Sequence, residues 1–207
     1  EAVLSCDMVG NSSNNNGQKD TGNIRVFSED TTPENPNWQS RELARFIEFA
    51  TRGKVPKFGI KLVMRRDRFG RGGDHTPFHL DGFAAVRFVE VHEEYTRQHT
   101  GNDLPEFMDW EYLANSTRIN EVALRALSNA ELPPKDVRIV NDQAHDTILN
   151  WDGEPGQKYV VYWRDTGSSV WKGSKEVTAE TIKLIKVNKD DHFFAVGAVG
   201  GIPVPAR

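Results

Sequence analysis

The spacing of apolar residues changes once along this chain, at Leu132-Pro133-Pro134-Lys135-Asp136. Ahead of that proline pair, short apolar runs alternate with helical patterns, which predicts an α/β layer. Behind it, short runs follow one another between turns, which predicts a small antiparallel β-sandwich. A chain of 207 residues has room for both. The expected division is therefore 1–131 and 132–207.

In the first part, Val3, Leu4, Cys6 and Met8 form a nearly continuous apolar run. It is expected to be a strand buried on both faces, with Cys6 in the core. Ile24 to Phe27, Phe58 to Met64 and Ala84 to Val89 are further strands. Leu43, Phe46, Ile47 and Ala50 recur at helical spacing and are closed by Arg52-Gly53. A short helix is expected after Asp74 as cap, broken at Gly82. A long one is expected from about Leu104 to Ala130, with Phe107, Met108, Ile119, Val122, Leu124 and Leu127 supplying core positions. Beyond the prolines, strands are expected at Val137–Val140, Thr147–Trp151, Tyr159–Arg164, Thr181–Leu184 and Phe193–Val199. Trp151, Tyr159 and Trp163 are their core aromatics.

Composition removes several classes of function. One cysteine excludes an intrachain disulfide framework and a Cys-rich zinc finger. A net charge of −4, with no dominant basic tract, gives nucleic-acid binding no electrostatic support. No apolar run reaches the roughly 18 residues of a membrane span. No nucleophile elbow and no phosphate-binding loop occurs.

Four places carry residue types suited to chemistry. Asp7 follows the first strand, where α/β sheets build sites, and is either a metal ligand or a turn cap. His99, in Gln98-His99-Thr100, precedes a helix and suits zinc through a neutral imidazole; the alternative is an ordinary loop histidine. Arg71-Gly72-Gly73-Asp74-His75 lets the backbone approach another surface, or is a tight turn at a helix start. His92-Glu93-Glu94 lacks the second histidine of the zinc-protease helix motif, because residue 96 is Thr.

Taken in order, Cys6-Asp7-Met8-Val9-Gly10-Asn11, Asp67-Arg68-Phe69-Gly70-Arg71-Gly72-Gly73-Asp74-His75-Thr76-Pro77-Phe78, Gly82-Phe83-Ala84-Ala85-Val86-Arg87-Phe88, Glu94-Tyr95 and Gln98-His99-Thr100 resemble the second half of an M28-family zinc exopeptidase. That family includes secreted bacterial leucine aminopeptidases. The resemblance covers roughly residues 1–131, and the region from Val137 resembles a fibronectin-III-like appendage. It implies the C-terminal half of an αβα sandwich followed by a β-sandwich, two zinc ions per complete site, a peptide substrate and a secreted or periplasmic location. It maps the Asp ligand of one zinc onto Asp7 and the His ligand of the other onto His99. Asp74, His75, Tyr95 and Gln98 are expected to line or buttress the site.

The family's remaining ligands and its general-base Glu lie upstream of the position of Asp7. The resemblance therefore implies that the partner of this chain is an N-terminal half of the same domain, and that residues 1–207 alone are inactive. The alternative is a non-catalytic module that docks on protein or polysaccharide through Trp151, Trp163 and Trp171 of the β-rich part.

Overall fold

The computed structural model describes residues 1–29, 31–67, 71–141 and 145–207. Arg68, Phe69 and Gly70 of the long glycine-rich motif lie outside the described residues. The chain divides into two compact units, Glu1–Leu124 and Arg125–Arg207. It is a mixed α/β protein with three sheets among the described residues. No helix among those residues is long and apolar enough to cross a membrane.

In chain order the elements up to the proline pair are β1 (Ala2–Cys6), β2 (Asn23–Ser28), α1 (Gln39–Thr51), β3 (Gly59–Val63), α2 (His75–Leu80), β4 (Ala84–Glu90), a 3₁₀ turn at Pro105–Phe107 and α3 (Trp110–Ser128). The sheet order is β1-β4-β2-β3. β4 runs parallel to β1 and antiparallel to β2, and β2 runs parallel to β3. Every residue of β4 is buried. Its run of apolar residues is what an inner strand covered on both faces requires. α1 turns Leu43, Ala44, Phe46 and Ile47 inward, and it packs on β2, β3 and β4. α3 buries Tyr112, Ser116, Ile119 and Ala123, a stripe of three- and four-residue steps. Tyr112 meets Phe58 edge-to-face at 5.2 Å, and its hydroxyl donates to the Asn23 carbonyl at 2.7 Å.

Three expectations change here. β1 is an edge strand, so its residues are only half covered and Cys6 is exposed. The helix expected from Leu104 starts at Trp110. Asp109 is the reason: its Oδ1 accepts the Tyr112 amide at 3.0 Å, satisfying a first-turn donor, while Met108 before it is extended. Phe107 and Leu124 are exposed rather than core. At α2, Asp74 occupies the position before the first turn, but its side chain makes no capping bond. Gly82, at φ +89°, ends that segment as expected.

The second unit adds β5 (Lys135–Ile139), β6 (Thr147–Asp152), β7 (Tyr159–Asp165), β8 (Gly173–Val177), β9 (Thr181–Leu184), β10 (His192–Ala198) and β11 (Val204–Pro205). They form two antiparallel sheets, ordered β11-β10-β7-β8 and β5-β6-β9. One core takes Val137, Leu149, Trp151, Ile182 and Leu184 from the smaller sheet, and Tyr159, Val161, Phe194 and Val196 from the larger. Strands β6 and β9 alternate buried and less buried residues with period two.

Trp171 is 2% exposed beside Tyr162, Trp151 is equally buried against Tyr159, and Trp163 packs on the core. Trp151 and Trp171 are therefore core rings, and Trp163 is half-buried beside them.

Candidate metal centre

Backbone pairing places Asp7. β1 and β4 run parallel with Cys6 beside Phe88, and the Asp7 amide continues the ladder to the Phe88 carbonyl at 3.1 Å. Met8 then takes a left-handed turn at φ +58°, and its carbonyl accepts the Glu90 amide at 2.8 Å. The two strands thus deliver Asp7 and Glu90 to the same end of the sheet, outside the carboxyl ends of a parallel pair. This is where α/β sheets form sites.

A cleft of about 390 Å³ opens there. Its lining includes the polar Asp7, Glu90, Glu94 and Gln98 and the apolar Leu104, Phe107, Met108 and Leu113. The segment carrying His99 meets the segment carrying Asp7 at this cleft. The Gln98 amide Nε2 lies 2.9 Å from Met8 Sδ and 3.3 Å from the Glu94 carbonyl. His99 itself is exposed, in a left-handed conformation at φ +59°.

The other predicted residues are dispersed. Tyr95 is exposed with the Arg71 guanidinium 5.4 Å from its ring centre. Asp74 is exposed. His75 is 1% exposed, and neither ring nitrogen makes a hydrogen bond with the described residues; its Nε2 stands 3.4 Å from Glu29 Oε1. Burial lowers the His75 pKa, against the pull of Glu29, so the ring is neutral near neutral pH. Burial works to raise Glu29, yet hydrogen bonds from Thr76 and Arg66 hold it below the usual carboxylate range.

What the sequence reading missed is the frame behind Asp7. Arg87, wholly buried in β4, donates from Nη2 to Asp7 Oδ2 at 2.7 Å and from Nη1 to Asp67 Oδ2 at 3.2 Å. Arg71 Nε lies 3.2 Å from the same Asp67 oxygen, and its Nη2 reaches Glu93 at 3.1 Å. Arg25 closes the chain on Glu93 at 2.6 Å. Three cations and three carboxylates thus alternate across β1, β2, β4 and the loops beside them. Glu93 and Glu94, set aside as a degenerate protease motif, are an ion-pair partner and a turn anchor respectively. Glu94 Oε1 accepts the Thr96 hydroxyl and amide at 2.5 and 2.7 Å, which holds its pKa below the usual range.

Glu90 is the other unforeseen group. It is 3% exposed, and its Oε2 accepts the Asn11 amide at 2.8 Å. Burial raises its pKa to about 7. A carboxyl that titrates there can take or give a proton at neutral pH.

Asp7 is half-exposed at the cleft. Oδ2 is held by Arg87, and no hydrogen bond from the described residues reaches Oδ1. Ligating carboxylates are held in this way, with an outer partner fixing their orientation. Among the described residues, however, no three His, Cys, Asp or Glu side chains converge as a metal would need. The described donor set does not fit a closed zinc site.

No family model matches the chain. Curated proteins do. It is 33% identical to a probable zinc metalloprotease of Leptosphaeria maculans, over 97% of this chain and 53% of that protein. The chain resembles zinc metalloproteases. A second such protein, from Pyrenophora tritici-repentis, is 31% identical over 97% of this chain and 47% of its own length. A third, from Pyricularia oryzae, is 30% identical over 97% and 46%. The chain thus spans about half the length of the curated relatives it matches. Among solved structures, titin kinase with its flanking domains aligns to 38% of this chain and 16% of its own at a TM-score of 0.31 and 18% identity, which carries no argument.

Proposed function

We propose that this chain supplies part of the active site of a two-zinc aminopeptidase that removes N-terminal residues from peptides. Asp7 is assigned as ligand to one zinc and His99 to the other. The α/β unit is then the C-terminal half of a zinc-exopeptidase sandwich, with the β-rich unit as a fibronectin-III-like appendage. The observation that carries the reading is the meeting of the Asp7 and His99 segments, through Met8 and Gln98, beside a cleft at the carboxyl ends of β1 and β4. The likeness to probable zinc metalloproteases over nearly the whole chain supports it.

When bound, zinc supplies Lewis acidity and a water of lowered pKa. The chain's own contribution is positional. Arg87 fixes one oxygen of Asp7, and the lining of Met8, Leu104 and Phe107 offers apolar surface to a substrate side chain. The Gln98 amide, engaged by Met8 and Glu94, is not offered as an oxyanion donor. Zinc takes about four ligands, so the remaining donors and the general base are assigned to polypeptide beyond these residues, and residues 1–207 alone are assigned no turnover.

The test uses the full-length polypeptide and aminoacyl-nitroanilide substrates. Asp7→Ala and His99→Ala should each reduce bound zinc by one equivalent and abolish hydrolysis. Wild-type zinc content in both variants, or robust EDTA-sensitive turnover by residues 1–207 alone, would overturn the proposal.

A further inference from the structure

Asn-x-Ser/Thr is the acceptor motif for N-linked sugar, and it occurs twice in this chain, as Asn11-Ser12-Ser13 and Asn115-Ser116-Thr117. The fold treats the two differently. Asn11 lines the cleft beyond β1, and its backbone amide is bound to Glu90 Oε2 at 2.8 Å. Ser12 beside it is 4% exposed, with its hydroxyl on Asp109 Oδ2 at 2.5 Å. A sugar there would fill the cleft. Asn115 stands on α3, and helical geometry fixes its direction. The stripe of Tyr112, Ser116, Ile119 and Ala123 is buried, and Leu113, on one flank of that stripe, lines the cleft. Asn115 follows Leu113 by two residues, about 200° round the helix, and so lies on the opposite flank. It is half-buried there, and its helix-surface neighbours Glu111 and Arg118 are exposed.

The side chain is chemically available as well. Asn115 Oδ1 accepts Arg118 Nη1 at 2.8 Å, while Nδ2, the atom that carries sugar in an N-glycoside, makes no hydrogen bond among the described residues. We propose that Asn115, and not Asn11, carries an N-linked oligosaccharide, acquired as the polypeptide passes through a eukaryotic secretory pathway. The donor is an oligosaccharide on a lipid pyrophosphate. Nδ2 forms a bond to the anomeric carbon, the bond from that carbon to the pyrophosphate oxygen breaks, the lipid pyrophosphate departs, and Nδ2 gives up one proton. Transfer precedes the folding of α3, because in the helix the Thr117 hydroxyl is committed to the Leu113 carbonyl at 2.9 Å. The folded protein then has to accommodate the sugar, and α3 does so on the flank away from the cleft. The relatives in Leptosphaeria, Pyrenophora and Pyricularia come from eukaryotes, where this chemistry is at hand. Glycosylation at Asn115 is independent of any metal at Asp7.

The experiment expresses the full-length polypeptide in a fungal host with no added leader. Its peptides are mapped by mass spectrometry after peptide-N-glycosidase treatment in heavy-oxygen water. That enzyme leaves a labelled Asp wherever an Asn bore sugar, so the expected result is label at position 115 and an unmodified Asn at position 11. Asn115→Gln and Thr117→Ala should each remove the mass of one glycan from the protein, and Thr117→Ser, which keeps the hydroxyl, should retain it. Thr117→Ala leaves the bond between Asn115 and Arg118 in place, so its loss of sugar reports the motif rather than a disturbed helix. The peptide map is read on the wild-type protein and stands even where a variant fails to fold. An unlabelled Asn115 in the secreted protein, label at Asn11, or a polypeptide that stays in the cytosol would each overturn the proposal.

Discussion

Replacing Glu90 with Gln should change how stability depends on pH, and the change can be sized in advance. The carboxyl is 3% exposed, and burial lifts its pKa from an ordinary 4.5 to about 7. Between those values the folded protein holds a proton that the unfolded chain has released. Stability from this group therefore falls as pH rises through that window and is level above it. At roughly 1.4 kcal/mol for each pH unit, the full window is worth about 3 kcal/mol. Gln preserves the shape, and its side-chain oxygen still accepts the Asn11 amide now bound by Oε2. The difference in unfolding free energy, variant minus wild type, should rise by about 3 kcal/mol from pH 4.5 to pH 7.5. Urea titrations at intervals of half a pH unit measure it, and taking the difference removes the titrating groups that do not interact with Glu90. A flat difference would show that Glu90 ionises freely, and the buried, desolvated carboxyl argued for the cleft would be wrong.

Asp109→Ala should cost about 1 kcal/mol in urea unfolding through loss of the cap on α3, and Asp109→Asn should restore most of it; equal losses in the two would refute the cap. Glu93→Gln leaves Arg25 and Arg71 without their shared carboxylate and should cost about 3 kcal/mol, read as a lowered urea midpoint, whereas a loss under about 0.5 kcal/mol, the size of an exposed pair, would show that the alternating chain is not coupled. Trp171→Ala should destabilise the β-rich unit by about 3–5 kcal/mol, since the ring is 2% exposed; a neutral substitution would return that tryptophan to the surface.

Which features could be read from the sequence follows from how locally each is determined. Elements defined by their own apolar spacing, such as α1 with Leu43, Phe46 and Ile47, follow from the sequence alone. β8 (Gly-Ser-Lys-Glu-Val) could not be read, because it pairs with β7 alone and is mostly exposed, so no alternation marks it. Cys6 misled for the converse reason: an apolar run says nothing about whether a strand will lie inside a sheet or at its edge. The start of α3 was available in principle. Asp109 stands three residues before Tyr112, the spacing of a capping contact, but the helical periodicity ran through it unbroken.

The candidate site divides along the same line. Asp7 and His99 can be singled out because each sits in a short motif whose residue types suggest ligation. Arg87 carried an equally plain signal, one charge inside Ala84-Ala85-Val86-Arg87-Phe88-Val89, and a buried charge obliges the fold to provide a carboxylate. The sequence says that a partner must exist but not which one, since Asp7 lies 80 residues away and Asp67 lies 20. The choice is made by the β1–β4 register, which sets Cys6 opposite Phe88 and so brings Asp7 to the end of the arginine. The candidate residue is thus marked locally, whereas its ion-pair partner is set by strand pairing. A single-residue slip of β1 would move Asp7 off Arg87 while leaving every motif in the sequence intact.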